Sequence, residues 1–100
     1  MQINSSGDTA LNIETTIIGI LVDDLFISVP RAEIDPDINM RDGLGLDSLG
    51  FSELRAQCEY AFNVKIEDED FTPENFDSIN TLTRLISRLR HSLTDGKDNQ

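Results

Sequence analysis

Residues 45–54 read Gly45-Leu46-Asp47-Ser48-Leu49-Gly50-Phe51-Ser52-Glu53-Leu54, and this stretch decides how the rest of the chain is organised. Asp and Ser are both preferred N-cap residues, and an acid there suits the positive end of a helix dipole. A helix is therefore predicted to begin at Asp47 or Ser48 and to reach Phe62. Leu54, Cys58, Ala61 and Phe62 form its buried stripe, joined at the start by Leu49 or Phe51. The unpaired N–H groups of such a start can stabilise an anion attached to or near Ser48. On position alone, plain capping is the commoner explanation of this serine.

Two further helices flank it. Upstream, Ile18, Leu21, Val22 and Leu25 recur at i, i+3, i+4 and i+7, with Ile17 and Phe26 widening the stripe, which predicts a helix over residues 11–27. Downstream, Leu82, Leu85, Ile86, Leu89 and Leu93 share one face of a helix over residues 80–92, with Arg84, Arg88 and Arg90 off it. Residues 28–46, punctuated by Pro30, Pro36, Gly43 and Gly45, form a long first loop that Ile34, Ile38 and Leu46 could peg to the core. Ordered loops of this length are usually functional. Val64-Lys65-Ile66 and the acidic run Glu67-Asp68-Glu69-Asp70 follow the second helix. Thr72-Pro73-Glu74 then reads as an N-cap with Pro at the first helical position, opening one short turn through Phe76. The expected architecture is all-α: a four-helix bundle over residues 10–93 with a long first loop and a short third helix, between flexible tails 1–9 and 94–100.

Composition bounds the function. One hundred residues with 38% hydrophobic side chains make one small domain. Nineteen acids against eight Lys and Arg give a formal charge of −11. That surface repels phosphate backbones and anionic lipid heads, so nucleic acid and membrane surfaces are disfavoured and basic patches on partner proteins are favoured. No apolar run approaches the roughly 20 residues that span a bilayer, and residues 1–9 carry no basic-then-apolar leader pattern. Cys58 is the only cysteine, which excludes an internal disulfide, argues against a Cys-based zinc site and reads as a core residue. The expectation is a cytoplasmic monomer.

Enzymatic readings fail on the same residues. His91 is the only histidine, near a helix end and without a nucleophile motif beside it. The G-x-S-x-G elbow fails around Ser48 because position 46 is Leu. Asp35, Asp37 and Asn39 alternate like the first ligands of an EF-hand, but the sixth position is Met40 and the twelfth Leu46. No catalytic residue and no metal ligand is assigned.

The stretch around Ser48, with Glu53-Leu54 after it, resembles the G-L-D-S-L-x-x-x-E-L signature of acyl carrier proteins. Ile34-Asp35-Pro36-Asp37 resembles the loop between their first two helices. Phe62-Asn63-Val64-Lys65-Ile66 and the acidic run resemble their segment after helix two, and Ile79-Asn80-Thr81-Leu82 the start of their last helix. The likeness extends in order over residues 11–93. It implies that Ser48 carries 4′-phosphopantetheine, transferred from coenzyme A by a magnesium-dependent phosphopantetheinyl transferase, and that acyl groups ride as thioesters on this arm. It also implies that Asp47 helps engage the transferase.

On the same likeness, Leu49, Glu53, Ala56 and Glu59 on helix two, with Glu67, Asp68, Glu69 and Asp70, face partner enzymes such as a ketosynthase, acyltransferase or ligase. Leu54, Ile66 and Ile86 are expected to line an acyl-chain cavity. Gly50, Phe51 and Arg55 depart from the fatty-acid carriers and make helix two less acidic, which leans toward a stand-alone carrier in polyketide or related biosynthesis. The alternatives are a carrier-like adaptor that is never modified, a peptidyl carrier, for which the usual Gly-Gly-x-Ser pattern is missing, and, remotely, a small hydrolase using Ser48.

Overall fold

The computed structural model describes the backbone of residues 6–98 and the side chains of residues 11–91. Among these residues every regular element is helical. Three α-helices, α1 (Ser6–Gly19), α2 (Ser48–Phe62) and α3 (Ile79–Asp98), carry the fold. The short helix expected between α2 and α3 is a single turn. Thr72 Oγ1 accepts the Asn75 N–H at 3.2 Å and the Thr72 carbonyl accepts the Phe76 N–H at 3.0 Å, which is the N-cap read from Thr72-Pro73-Glu74 without a helix to follow it.

Both outer helices differ in extent from their expected spans. α1 begins at Ser6 and ends in a π turn, Ile20–Asp24, closed by the Leu25 N–H on the Ile20 carbonyl at 2.9 Å. The buried stripe keeps helical spacing but lies one residue earlier than expected. Ile13, Ile17, Ile20 and Leu21 are buried, while Ile18, Val22 and Leu25 are only partly so. Phe26 does not widen the stripe: it takes φ 57° and stands 79% exposed. A left-handed conformation at a bulky residue costs on the order of 1–3 kcal/mol.

α3 starts one residue early because Ser78 and Thr81 cap each other. The Ser78 N–H donates to Thr81 Oγ1 at 3.0 Å and the Thr81 N–H to Ser78 Oγ at 3.2 Å. The helix runs to Asp98, beyond the expected Ser92. Ile79, Leu82, Leu85 and Ile86 are fully buried and Leu89 partly, with Arg84, Arg88 and Arg90 exposed. The side chain of Leu93 and the tail residues 1–5 and 99–100 lie outside the described residues.

α1 and α3 pack together, and α2 meets the π turn. α2 has the expected bounds and buries Leu54 and Cys58, but Ala61 is exposed and Phe62 half-buried. Its buried face narrows because the chain leaves the helix at Asn63, in the left-handed conformation that Asn tolerates (φ 55°). Val64 and Ile66 then fill the core in place of the last helical turn.

Residues 34–46 lie close on the bundle and are anchored by more pegs than expected. Met40 and Leu44 are buried with Ile34 and Leu46, whereas Ile38 is half-buried. The Met40 N–H donates to the Asp77 carbonyl at 2.8 Å and the Asn80 N–H to the Pro36 carbonyl at 3.0 Å. The alternating Asp35, Asp37 and Asn39 side chains of this loop are structural hydrogen-bond acceptors. Asp35 accepts the Asp37 N–H at 2.9 Å, Asn39 Oδ1 the Asp42 N–H at 2.7 Å, and Asp37 the side-chain amide of Asn80. The stretch from Asp24 to Ser48 is interrupted by one 3-10 turn, Arg31–Glu33.

Candidate functional site

The chain turns into α2 through Gly45, whose φ of +82° glycine adopts at little cost. Leu46 is buried, and Asp47 follows in extended backbone as the N-cap. Its carboxylate accepts the Gly50 N–H at 2.8 Å and its carbonyl the Phe51 N–H at 2.9 Å. Gly50, a weak helix former, has a packing reason here. A Cβ on it would sit 3.3 Å from Leu46 Cγ and 3.4 Å from the capping oxygen of Asp47, so the cap closes tightly because position 50 has no side chain.

Ser48 is therefore the first residue of α2, exposed, with its backbone held by a capped helix and a buried neighbour. Leu49 beside it is 78% exposed, so it does not join the buried stripe. Ser48 opens onto a cleft of about 340 Å³ walled by Arg41, Phe51, Phe71, Thr72, Phe76 and Asp77. The aromatic wall is interlocked edge to face: Phe71 and Phe76 centroids lie 4.9 Å apart, and Phe51 and Phe76 6.5 Å. An exposed hydroxyl at the mouth of a cleft, with first-turn N–H groups that have no intrahelical partner, fits the attachment of a phosphate-linked arm. Of the residues expected to line an acyl cavity, Leu54, Ile66 and Ile86 are all fully buried in the core and none borders this cleft.

The expected partner residues separate into two groups. Leu49, Glu53, Ala56, Glu67, Asp68 and Glu69 are exposed. Glu59 is not a free surface acid, because its carboxylate accepts the Ile66 N–H at 2.7 Å. Asp70 is half-buried. Arg55, which by sequence only lowered the acidity of α2, has a structural task. It donates to the Ile66 carbonyl at 2.6 and 3.1 Å and to Asp68 at 2.9 Å, and its guanidinium stacks 4.8 Å from the centroid of Phe71. Glu59 and Arg55 thus clamp both sides of one residue, Ile66, and bring Phe71 to the cleft. Sequence reading missed Arg41, Phe71, Phe76 and Asp77 as site residues, since no spacing rule brings residues 71–77 against Arg41 and the start of α2.

Cys58 is fully buried on α2. Burial, and then the neighbouring charge of Glu59, push its thiol from 9.0 up to about 12, so it stays protonated and unreactive in the folded chain. Among the described residues no group of three or more His, Cys, Asp and Glu could hold a metal ion, and no helix is long and apolar enough to cross a membrane.

Comparison with known proteins agrees with this geometry. Residues 16–89 match the family model described as phosphopantetheine attachment site, and the chain belongs to that family of carrier proteins. Such carriers serve enzymes and perform no catalysis themselves; 4′-phosphopantetheine is their covalent group. Aminoacyl carrier protein 2 of Bradyrhizobium diazoefficiens is 29% identical over 79% of this chain and 88% of its own length. The D-alanyl carrier protein of Streptococcus pyogenes is 30% identical over 82% of this chain and all of its own. The acyl carrier protein of Solidesulfovibrio magneticus is 47% identical over 51% of this chain and 63% of its own.

Proposed function

We propose that the protein is an acyl carrier whose arm is attached at Ser48 and which moves a thioester-bound intermediate between enzymes of polyketide or fatty-acid-type biosynthesis. The observation that carries this reading is the exposed Ser48 hydroxyl at the capped start of α2, opening onto the cleft. In the loading step Ser48 Oγ attacks the phosphorus of coenzyme A that bears pantetheine. A new Oγ–P bond forms, the bond to the 3′,5′-adenosine bisphosphate breaks, and the serine proton leaves to solvent or to a base of the transferase. Asp47 stands beside the hydroxyl as a recognition element for that transferase. Glu53 with the exposed acids Glu67 and Glu69 offers the negative face that basic partner enzymes would meet. The helical turn at Thr72 then corresponds to the short third helix of the acyl-carrier bundle, and a cytoplasmic, monomeric carrier completes the reading.

Aminoacyl cargo is the second reading, favoured because two of the relatives above are named aminoacyl and D-alanyl carriers. The test of both begins with intact mass after incubation with coenzyme A, magnesium and a broad-specificity transferase. One added phosphopantetheine on the wild type and none on Ser48→Ala is the expected result. A gain on both proteins would move the attachment elsewhere. No gain on folded wild type with any transferase of its own source would favour an unmodified adaptor. Mass analysis of the arm isolated from the native host then separates acyl from aminoacyl cargo.

A further inference from the structure

The carrier reading leaves Arg41 without a role. It is exposed, and its guanidinium carbon lies 5.5 Å from the Phe51 ring centroid, a cation–π contact that narrows its conformations. Arg31 is paired with Asp23 at 3.2 Å and Arg55 with Asp68 at 2.9 Å, but Arg41 has no such carboxylate among the described residues. Among the described residues that line the Ser48 cleft it is the one cation, and Asp77 is the one acid. Asp77 already accepts the Asn39 side-chain amide at 2.5 Å. The backbone beneath Arg41 is held on both sides, by Met40 N–H to the Asp77 carbonyl at 2.8 Å and by Gly45 N–H to the Arg41 carbonyl at 3.2 Å.

A second hollow, of about 280 Å³, also reaches the start of α2. Leu25, Phe26, Ile27, Leu44 and Leu46 contribute to it, and Asp47 is the only charged residue among the described residues that line it. The arm that leaves Ser48 thus has two neighbouring hollows of similar size, one offering a guanidinium beside an acid already engaged by Asn39, the other a carboxylate alone. A phosphodiester is repelled by a lone carboxylate and attracted by a guanidinium, whose planar fork matches two phosphate oxygens.

We infer that Arg41 is the counter-ion of the phosphodiester formed on Ser48 and that it sets the root of the arm over the Phe51–Phe71–Phe76 cleft. This rests on the carrier reading, and acts on the modified protein. Arg41 is a positioning residue. It takes no part in the transfer itself.

The test uses loaded protein whose mass already shows the added arm, so failure to load bears on the carrier reading alone. The phosphorus resonance of the arm and the backbone amides are compared before and after loading in wild type, Arg41→Gln, Arg41→Lys and the remote control Arg31→Gln. In wild type, loading is expected to shift the amides of Phe51, Thr72 and Phe76 more than those of Phe26, Ile27 and Ser28. Molar salt should move the phosphorus resonance toward that of free phosphopantetheine. Arg41→Gln should abolish most of both effects, Arg41→Lys should retain them in part, and Arg31→Gln should leave them unchanged. An unaltered phosphorus resonance in Arg41→Gln would overturn the inference, as would loading shifts centred on Phe26–Ser28. If Arg41→Gln cannot be loaded, the wild-type salt titration and amide map decide alone: a salt-insensitive resonance also overturns it.

Discussion

The two connecting stretches that border α2 are held in different ways. Residues 34–46 are fixed largely by their own backbone and short side chains: Leu46 N–H to the Met40 carbonyl, Gly43 N–H to the Asn39 carbonyl, and the Asn39 cap on Asp42. Residues 64–71 close a 3-10 turn of their own, Asp68–Asp70, but are tied to the bundle through two long side chains of α2, Arg55 and Glu59, which grip the polar groups of Ile66. The first stretch positions Ser48 and Arg41, and the second carries Phe71. One side of the cleft is therefore a rigid platform, and the other is a latch that single side chains can release.

The largest expected effect is kinetic and tests whether the latch opens without unfolding the platform. In the native state Cys58 should be alkylated by iodoacetamide at least roughly a thousandfold more slowly than in urea, since reaction waits on the small unfolded fraction. Arg55→Ala should accelerate it more than its loss of global stability accounts for; equal acceleration would mean the latch and platform open together. The same thiol sets an alkaline limit. The unfolded thiol releases its proton above about pH 9 while the folded one holds it to about 12, so this contribution to stability is complete below pH 9 and lost as pH rises toward 12. Comparing urea unfolding of wild type and Cys58→Ala across that range should remove this part of the slope.

Next in size is Gly43→Ala on the platform. Its Cβ would lie 2.8 Å from the Asn39 carbonyl oxygen and closer still to the Ile38 side chain. A loss of about 1–3 kcal/mol is expected, read as a lower urea midpoint. Tolerance of alanine at this position would show that the platform yields as easily as the latch.

Arg55→Ala should cost about 2 kcal/mol, because a side chain only 23% exposed leaves the Ile66 carbonyl without its charged donor. Asp68→Ala should be nearly silent, within about 0.5 kcal/mol, since that carboxylate is 98% exposed. A large loss from Asp68→Ala would mean that the ion pair, and not the bond to Ile66, holds the latch. Smaller than the Arg55 effect, Asp47→Ala should lose about 1 kcal/mol of helix capping, and Asp47→Asn should recover part of it in the same thermal unfolding assay.

The helices were legible where local signals agree. The Asp47 cap, the α2 bounds and the α3 stripe follow from spacing and capping chemistry that a short window contains. The first helix misled because adjacent apolar pairs, Ile17-Ile18 and Leu21-Val22, let two registers fit helical spacing, and Phe26 turns outward from a backbone angle that no periodicity announces. Ala61 misled because helical spacing knows nothing of Asn63 ending the helix and Ile66 taking the core space.

By itself, the sequence determined the helical class, the acidic character and the serine at the start of α2, since these depend on residue type and on neighbours within a few positions. Only the tertiary structure decided what faces that serine. Arg41, Phe51, Phe71 and Phe76 meet because the platform is tied to Asp77 and the latch to α2. Those hydrogen bonds join residues distant along the chain, and their partners are chosen by packing rather than by spacing.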